Sequence, residues 1–173
     1  EQLYLYSNKS TIAYGKLHYE WQTGDTYKTD STDIRHIYPN YGFFNVQLRA
    51  ISEKGCSDST SKTVRVFAKP MMQFAINDTD QCINSQNMQF STTAVIPEGK
   101  LINYTWTFGD GAKGTGAAIG HYYQKSAFYT ITHTAVSDSL CVDSVKRVVR
   151  IFPKPIARFL INDSAQCIRG NYY

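Results

Sequence analysis

No stretch of this 173-residue chain carries sustained helical periodicity, and none of its apolar runs approaches the ~20 residues that cross a bilayer as a helix. A helical bundle or a helical membrane span therefore does not organise it. Charge is thin as well: 18 Lys and Arg against 14 Asp and Glu leave a net +4 that never gathers into a run. The electrostatic footprint of a nucleic-acid binder is missing. The four cysteines show no C-x-x-C spacing, and a lone cysteine followed by distant histidines is a poor zinc pattern. Nor do the acidic residues form the D-x-D-x-D loop that calcium sites use.

What is present favours strands. Thr, Ser, Val and Ile are plentiful beside 13 Tyr and 9 Phe, an all-β composition. The chain also repeats itself. Trp21-Gln-Thr-Gly-Asp25 returns 85 positions later as Trp106-Thr-Phe-Gly-Asp110, and the match continues without a gap until Ile83 meets Ile168. His36, Tyr38, Cys56, Arg65, Phe67, Lys69, Pro70 and Cys82 recur as His121, Tyr123, Cys141, Arg150, Phe152, Lys154, Pro155 and Cys167. A period of this length exceeds a solenoid repeat, which rarely passes about 50 residues, and suits a small domain with its own core. Proline cannot continue a ladder, so the two Lys-Pro pairs read as boundaries. The division expected is a unit over 1–68 that lacks its first strand, a complete unit over 69–153, and the first strand of a third unit over 154–173. A longer tandem protein is the natural setting for such a frame.

In the complete unit, strands are expected near 71–77, 87–94, 101–108, 117–123, 127–136 and 142–152, a spacing that indicates a sandwich. The period of two places Phe44, Val46, Leu48 and Ala50 inward on one strand, and Tyr129, Ile131, His133 and Ala135 inward on its counterpart. Trp21 and Trp106 are core candidates worth several kcal/mol each on truncation to alanine. Gly24-Asp25 and Gly109-Asp110 follow them as tight turns, with Gly supplying positive φ and Asp bonding the turn's own amides.

Candidate chemistry is sparse. His36 and His121 have no second ligand at i+2 or i+4 and read as structural hydrogen-bonding groups, with catalysis or metal binding as the alternative. His133 stands where the other unit has Leu48, which makes it a buried, bonded imidazole or, alternatively, a pH-responsive one. Asp25 and Asp110 occupy the same turn in different units, so they cannot face one substrate as two-carboxylate hydrolysis requires. The residues thus give no catalytic centre, no cofactor site and no metal site, calcium through Asp110 with Asp138 or Asp143 being the one metal worth checking. Tyr38, Tyr41, Tyr122 and Tyr123 cluster before the Phe43 and Phe128 strands, either as corner packing or as a sugar-binding platform.

Trp106-Thr-Phe-Gly-Asp-Gly111, followed by His121-Tyr-Tyr123 and Phe128-Tyr-Thr-Ile131, resembles the signature of PKD domains, W-x-F-G-D-G then H-x-Y and an aromatic strand. The first unit departs from it at Thr23 and Thr26. The resemblance spans the whole chain and implies tandem immunoglobulin-like β-sandwiches. The Gly55-Cys56-Ser-Asp-Ser59 turn and the Asn-Asp-x-x-Gln-Cys loop are similar to PKD-like repeats of very long Bacteroidota surface proteins, of which the SprB-type gliding-motility adhesin of the type IX system is the best-known kind. That likeness implies an extracellular, outer-membrane-attached protein whose partners are its neighbouring repeats, the secretion machinery and an unknown distal glycan or protein.

The same resemblance bears on the cysteines. Cys56, Cys82, Cys141 and Cys167 are expected as disulfides in an oxidising compartment. In an immunoglobulin-like topology the first loop and the last hairpin lie at opposite poles, which implies a ladder of inter-unit bonds with Cys82 reaching the following unit and Cys141 the preceding one. The rival pairs are Cys82–Cys141, Cys56–Cys82 and Cys141–Cys167. The likeness also implies O-glycosylation at Asp-Ser followed by a small or aliphatic residue, which Ser31, Ser59, Ser139, Ser144 and Ser164 fit, against the plain alternative of polar turns. The function expected is that of stalk repeats carrying an adhesive tip and transmitting force; the alternative is a polysaccharide- or collagen-binding accessory module of a secreted hydrolase.

Overall fold

The computed structural model describes residues 2–85, 87–161 and 164–165. It is all-β, with fourteen strands among those residues. The first unit contains β1 (Tyr4–Tyr6), β2 (Leu17–Gln22), β3 (Lys28–Thr29), β4 (Ile34–His36), β5 (Gly42–Ser52) and β6 (Ser57–Val66). The second contains β7 (Phe74–Ile76), β8 (Asp80–Cys82), β9 (Met88–Thr92), β10 (Leu101–Thr107), β11 (Lys113–Thr115), β12 (Ala118–His121), β13 (Phe128–Ser137) and β14 (Val142–Phe152). One sheet of the second unit has the order β12-β9-β7, the other β11-β10-β13-β14-β8. The first unit repeats this as β4-β1 and β3-β2-β5-β6. Counterparts of β7 and β8 would fall before residue 1.

Strand alternation fixes which side chains meet. Along β13, Ile131, His133 and Ala135 are buried while Phe128 and Thr130 are exposed; along β5, Val46 and Leu48 are buried and Asn45 and Arg49 are not. The second core gathers Phe74, Phe90, Trp106, Phe108 and Ile131 among others. Phe74 stands edge-on to Trp106, with ring centroids 5.2 Å apart. The first core is smaller, built on Trp21, Ile34, Tyr38, Val46 and Leu48, and a cleft of about 610 Å³ opens over Trp21, Val46, Leu48 and Val64. Each indole N–H reaches a carbonyl, Ser31 O at 3.0 Å and Gly116 O at 2.9 Å.

Two strands go beyond the sequence expectation. β11 is a short edge pairing with β10. β8 runs parallel to β14, with Arg150, Ile151 and Phe152 opposite Asp80, Gln81 and Cys82. The strand expected at the start of a third unit is not formed by the residues described there: Phe159, Leu160 and Ile161, counterparts of β7, are 88%, 100% and 63% exposed.

Gly24 and Gly109 are required by two constraints at once. Both have positive φ, 88° and 83°. A Cβ on Gly109 would lie 2.9 Å from both the N and the O of Thr130, and one on Gly24 would lie 2.7 Å from Asn45 N. Gly111, at φ 97°, has open space around it. Gly109→Ala should therefore cost roughly 2–4 kcal/mol, combining left-handed strain with a backbone clash, while Gly111→Ala should cost about 1 kcal/mol. Urea midpoints of the two variants measure the difference; equal shifts would remove the close-approach argument.

His133 is fully buried and lies flat on Trp106, centroids 3.6 Å apart at 13°. Its Nδ1 donates to Thr105 O at 3.2 Å and its Nε2 has no partner. Burial pushes the imidazole below its ordinary value, against the opposing pull of the Thr105 carbonyl. The unfolded chain therefore takes up a proton first as pH falls below about 6.5, and the fold loses stability from there downward by at most about 1.4 kcal/mol per pH unit. His133→Leu, the residue found at position 48, should flatten that acid limb in a stability-versus-pH series and leave the curve above pH 7 without a new slope.

Candidate functional site

The repeated Gly-Asp turn and the His-x-Tyr segment, eleven residues further on, fold into one cluster. Asp110 Oδ1 accepts from Ala112 N at 3.0 Å, and Oδ2 meets His121 Nε2 at 2.8 Å. The imidazole stacks on Phe108 (4.1 Å, 9°) and stands edge-on to Tyr123 (4.6 Å, 89°). The Tyr123 hydroxyl closes the ring of contacts by donating to Phe108 O at 3.0 Å. Burial raises the Tyr123 pKa, with Asp110 adding to it. Desolvation alone would raise the Asp110 carboxyl, but the bonds from His121 and the Ala112 amide outweigh it and hold it below its ordinary value.

The first unit builds the same cluster from different residues. Asp25 Oδ2 meets His36 Nε2 at 2.7 Å, and Tyr38 donates to Thr23 O at 3.0 Å. Thr23 stands where Phe108 does and cannot stack, so the ring over His36 comes from Tyr27 (4.9 Å, 24°), the counterpart of Ala112. Thr23 Oγ1 instead donates to Asp25 Oδ1 at 2.6 Å. That bond, with those from His36 and the Tyr27 amide, overcomes desolvation and lowers the Asp25 pKa. Carboxylate and imidazole are thus spent on each other, and the ring faces are covered. The arrangement braces a turn.

Below the first cluster lies the joint between units. Arg65 is sandwiched by Phe43 and Phe67, its guanidinium carbon 5.1 and 4.6 Å from the ring centroids, and Nη2 reaches Glu98 of the second unit at 2.8 Å. Lys69 approaches Asp143 at 3.7 Å. At the joint a cavity of about 750 Å³ is lined by Tyr38, Tyr41, Phe67, Leu140 and Cys141 among others. The linker itself alternates: Ala68, Pro70, Met72 and Phe74 are buried, Lys69, Met71 and Gln73 exposed, and Met71 bridges Val95. The Lys-Pro boundary is therefore a half-buried extended segment. Arg150 repeats the sandwich between Phe128 and Phe152 at the far end of the second unit.

The remaining expected residues fall as follows. Tyr38 and Tyr123 are buried corners, whereas Tyr41 and Tyr122 are 50% and 60% exposed, so the four tyrosines do not act as one platform. Asp110 does not come together with Asp138 or Asp143: Asp138 lies beside Lys100, before the seven residues of β10, and Asp110 lies after them. At roughly 3.3 Å per residue that separates them by more than 20 Å. Ser31, Ser59, Ser144 and Ser164 are exposed, and Ser139 is half-buried with its hydroxyl on Asp138. Cys56, Cys82 and Cys141 carry free thiols, and Cys167 lies outside the described residues. Cys141 precedes β14 and Cys82 pairs with its last residue, so the pair Cys82–Cys141 is held about 33 Å apart; Cys56–Cys82 is wider still, since Cys56 precedes β6 in the other unit.

The arginine sandwich, the Asp–His bond and the Tyr27 substitution escaped sequence reading. The exchange of Phe108 and Ala112 for Thr23 and Tyr27 was visible in the aligned units as a signal that one ring had moved.

Comparison with known proteins agrees with this framework. The PKD domain family model matches residues 5–68 and 67–151. Similar solved structures include the PKD1 domain of Vibrio anguillarum Epp (19% identity, 50% of this chain and 96% of that one, TM-score 0.44). The PKD1 domain of the Vibrio cholerae metalloprotease PrtV is another (23%, 48% and 96%, 0.43), as are fibronectin(III)-like modules of Clostridium thermocellum CbhA (15%, 88% and 94%, 0.42). With both of its units matched over most of their length, the chain belongs to the PKD domain family.

Proposed function

We propose that these units are stalk repeats of a long extracellular adhesin, of the kind borne by gliding Bacteroidota, that hold an adhesive region away from the cell and transmit force to it. PKD domains are extracellular modules of adhesins and secreted proteases. What carries the stalk reading is the alternating burial of the linker from Ala68 to Phe74. A spacer that transmits force must resist bending at its joints, and a segment that buries every second side chain has no freely rotating residue to bend about. The Arg65–Glu98 and Lys69–Asp143 pairs add orientation more than strength, since their side chains are between 35% and 66% exposed and such partly exposed pairs are worth at most about 1 kcal/mol.

The reading can be tested by solution scattering. With 11-residue strands, each sandwich is roughly 36 Å long, and two in line should reach about 80 Å. The expected particle is elongated with one narrow distribution of end-to-end distances; a broad or compact distribution counts against a stalk. Residual dipolar couplings give the finer measurement. Pro70→Gly with Met72→Ser should give the two units separate alignment tensors, while Arg65→Ala should loosen their alignment with little change in either unit's melting.

A further inference from the structure

The cavity at the joint, with one cysteine on its wall, points to a covalent bond across it. In the second unit, Cys82 is delivered to the end of β14 by β8, opposite Phe152, with Ile83 N bonded to Phe152 O at 2.9 Å. The 85-residue translation takes Phe152 to Phe67 and β14 to β6. In the first unit β6 is the edge of its sheet, so the strand edge that β8 covers in one unit is open in the other. Phe67 and Cys141 line the same cavity, and so does Gln2, the residue that leads into β1. A cysteine placed against Phe67 as Cys82 is placed against Phe152 would thus lie in the cavity whose opposite wall carries Cys141.

We propose that Cys141 forms a disulfide across the joint with a cysteine held on the free edge of β6, and that Cys82 offers the equivalent thiol to a following unit. The hairpin presents Cys141 from a fixed position: Ser137 N bonds Cys141 O at 2.9 Å, Cys141 N bonds Ser137 Oγ at 3.1 Å, and Leu140 holds a left-handed φ of 61°. Within the chain no described partner competes, because Cys56 and Cys82 lie at other poles. The reaction is thiol–disulfide exchange with an oxidised dithiol. One thiolate attacks the oxidant's sulfur, and the second displaces it from the mixed disulfide. Two S–H bonds and one S–S bond are exchanged for one S–S bond and a reduced dithiol, with two electrons passing to the oxidant. The inference concerns the joint alone and stands whether or not the protein is an adhesin.

The test is a chain in which a copy of residues 69–85 precedes Glu1, which puts a cysteine in the register of Cys82 and a copy of β7 over the open cleft of the first unit. Equilibration in a glutathione redox buffer is followed by peptide mapping without reduction. The expected result is one linked peptide joining the added cysteine to Cys141, loss of two hydrogens in intact mass, and a first unit that melts at a higher temperature. Cys141→Ser should keep the rise due to the added strand and lose the link. A link from the added cysteine to Cys56, free thiols at both positions in a chain whose first unit is stabilised, or an extension that leaves melting unchanged would each overturn the proposal. The same map on the full-length secreted protein is the second measurement. Cys82 linked to the hairpin cysteine of the next unit supports the bond; a fully alkylated Cys82 overturns it.

Discussion

The close approach of the Gly-Asp turn to the neighbouring long strand is the constraint on which each sandwich depends. With no Cβ at Gly109 or Gly24, the turn lies against the backbone of Thr130 or Asn45. That places the aspartate under the histidine and brings the carbonyl at position 108 or 23 within reach of the corner tyrosine. Remove the contact and three anchors lose their geometry together: the indole just before the turn, the Asp–His bond across it and the tyrosine hydroxyl. The two units keep these anchors while exchanging which residue stacks on the imidazole, so the cluster requires a covered ring and not one particular cover.

Features governed by local chemistry were legible in the sequence. Strands with period-two burial, the core indoles, positive-φ glycines and the repeat all follow from side-chain type and spacing. The strand β8 was not, because Asp80-Gln81-Cys82 is short and polar and carries no alternation; it is a strand only because β14 offers it an unpaired edge. The Asp110–His121 bond was invisible for a related reason. Eleven residues and two strands separate the partners, and only the sandwich's closure brings them to 2.8 Å. The third-unit strand was expected from sequence likeness alone; residues 154–161 form no ladder, and most of the remainder of 154–173 lies outside the described residues.

The joint illustrates how a sheet edge becomes an interface. An open edge invites pairing, and proteins cover such edges. In the second unit the cover is β8, which also carries Cys82 to the pole. Edge protection and placement of a thiol are therefore one structural act in the second unit. Arg150 and Arg65 mark the same pole by another route, each held between two phenylalanines so that the guanidinium faces outward in a fixed direction. In the first unit that direction ends on Glu98.

Magnitudes decide what holds two units in line. Solvent-exposed ion pairs contribute at most about 1 kcal/mol each and weaken further with salt, so Arg65–Glu98 and Lys69–Asp143 cannot by themselves resist a sustained pull. Burying one side chain the size of Met72 is worth roughly 1.5–3 kcal/mol, and the linker buries Ala68, Pro70 and Met72 in succession. Stretching the joint would have to extract them in turn. A covalent bond from Cys141 to the preceding unit would act in parallel with that segment, so that separation of the units would require either a broken sulfur–sulfur bond or unfolding of the hairpin that presents it. In the proposed stalk, the buried linker sets the angle between neighbours and the disulfide sets the greatest distance they can move apart.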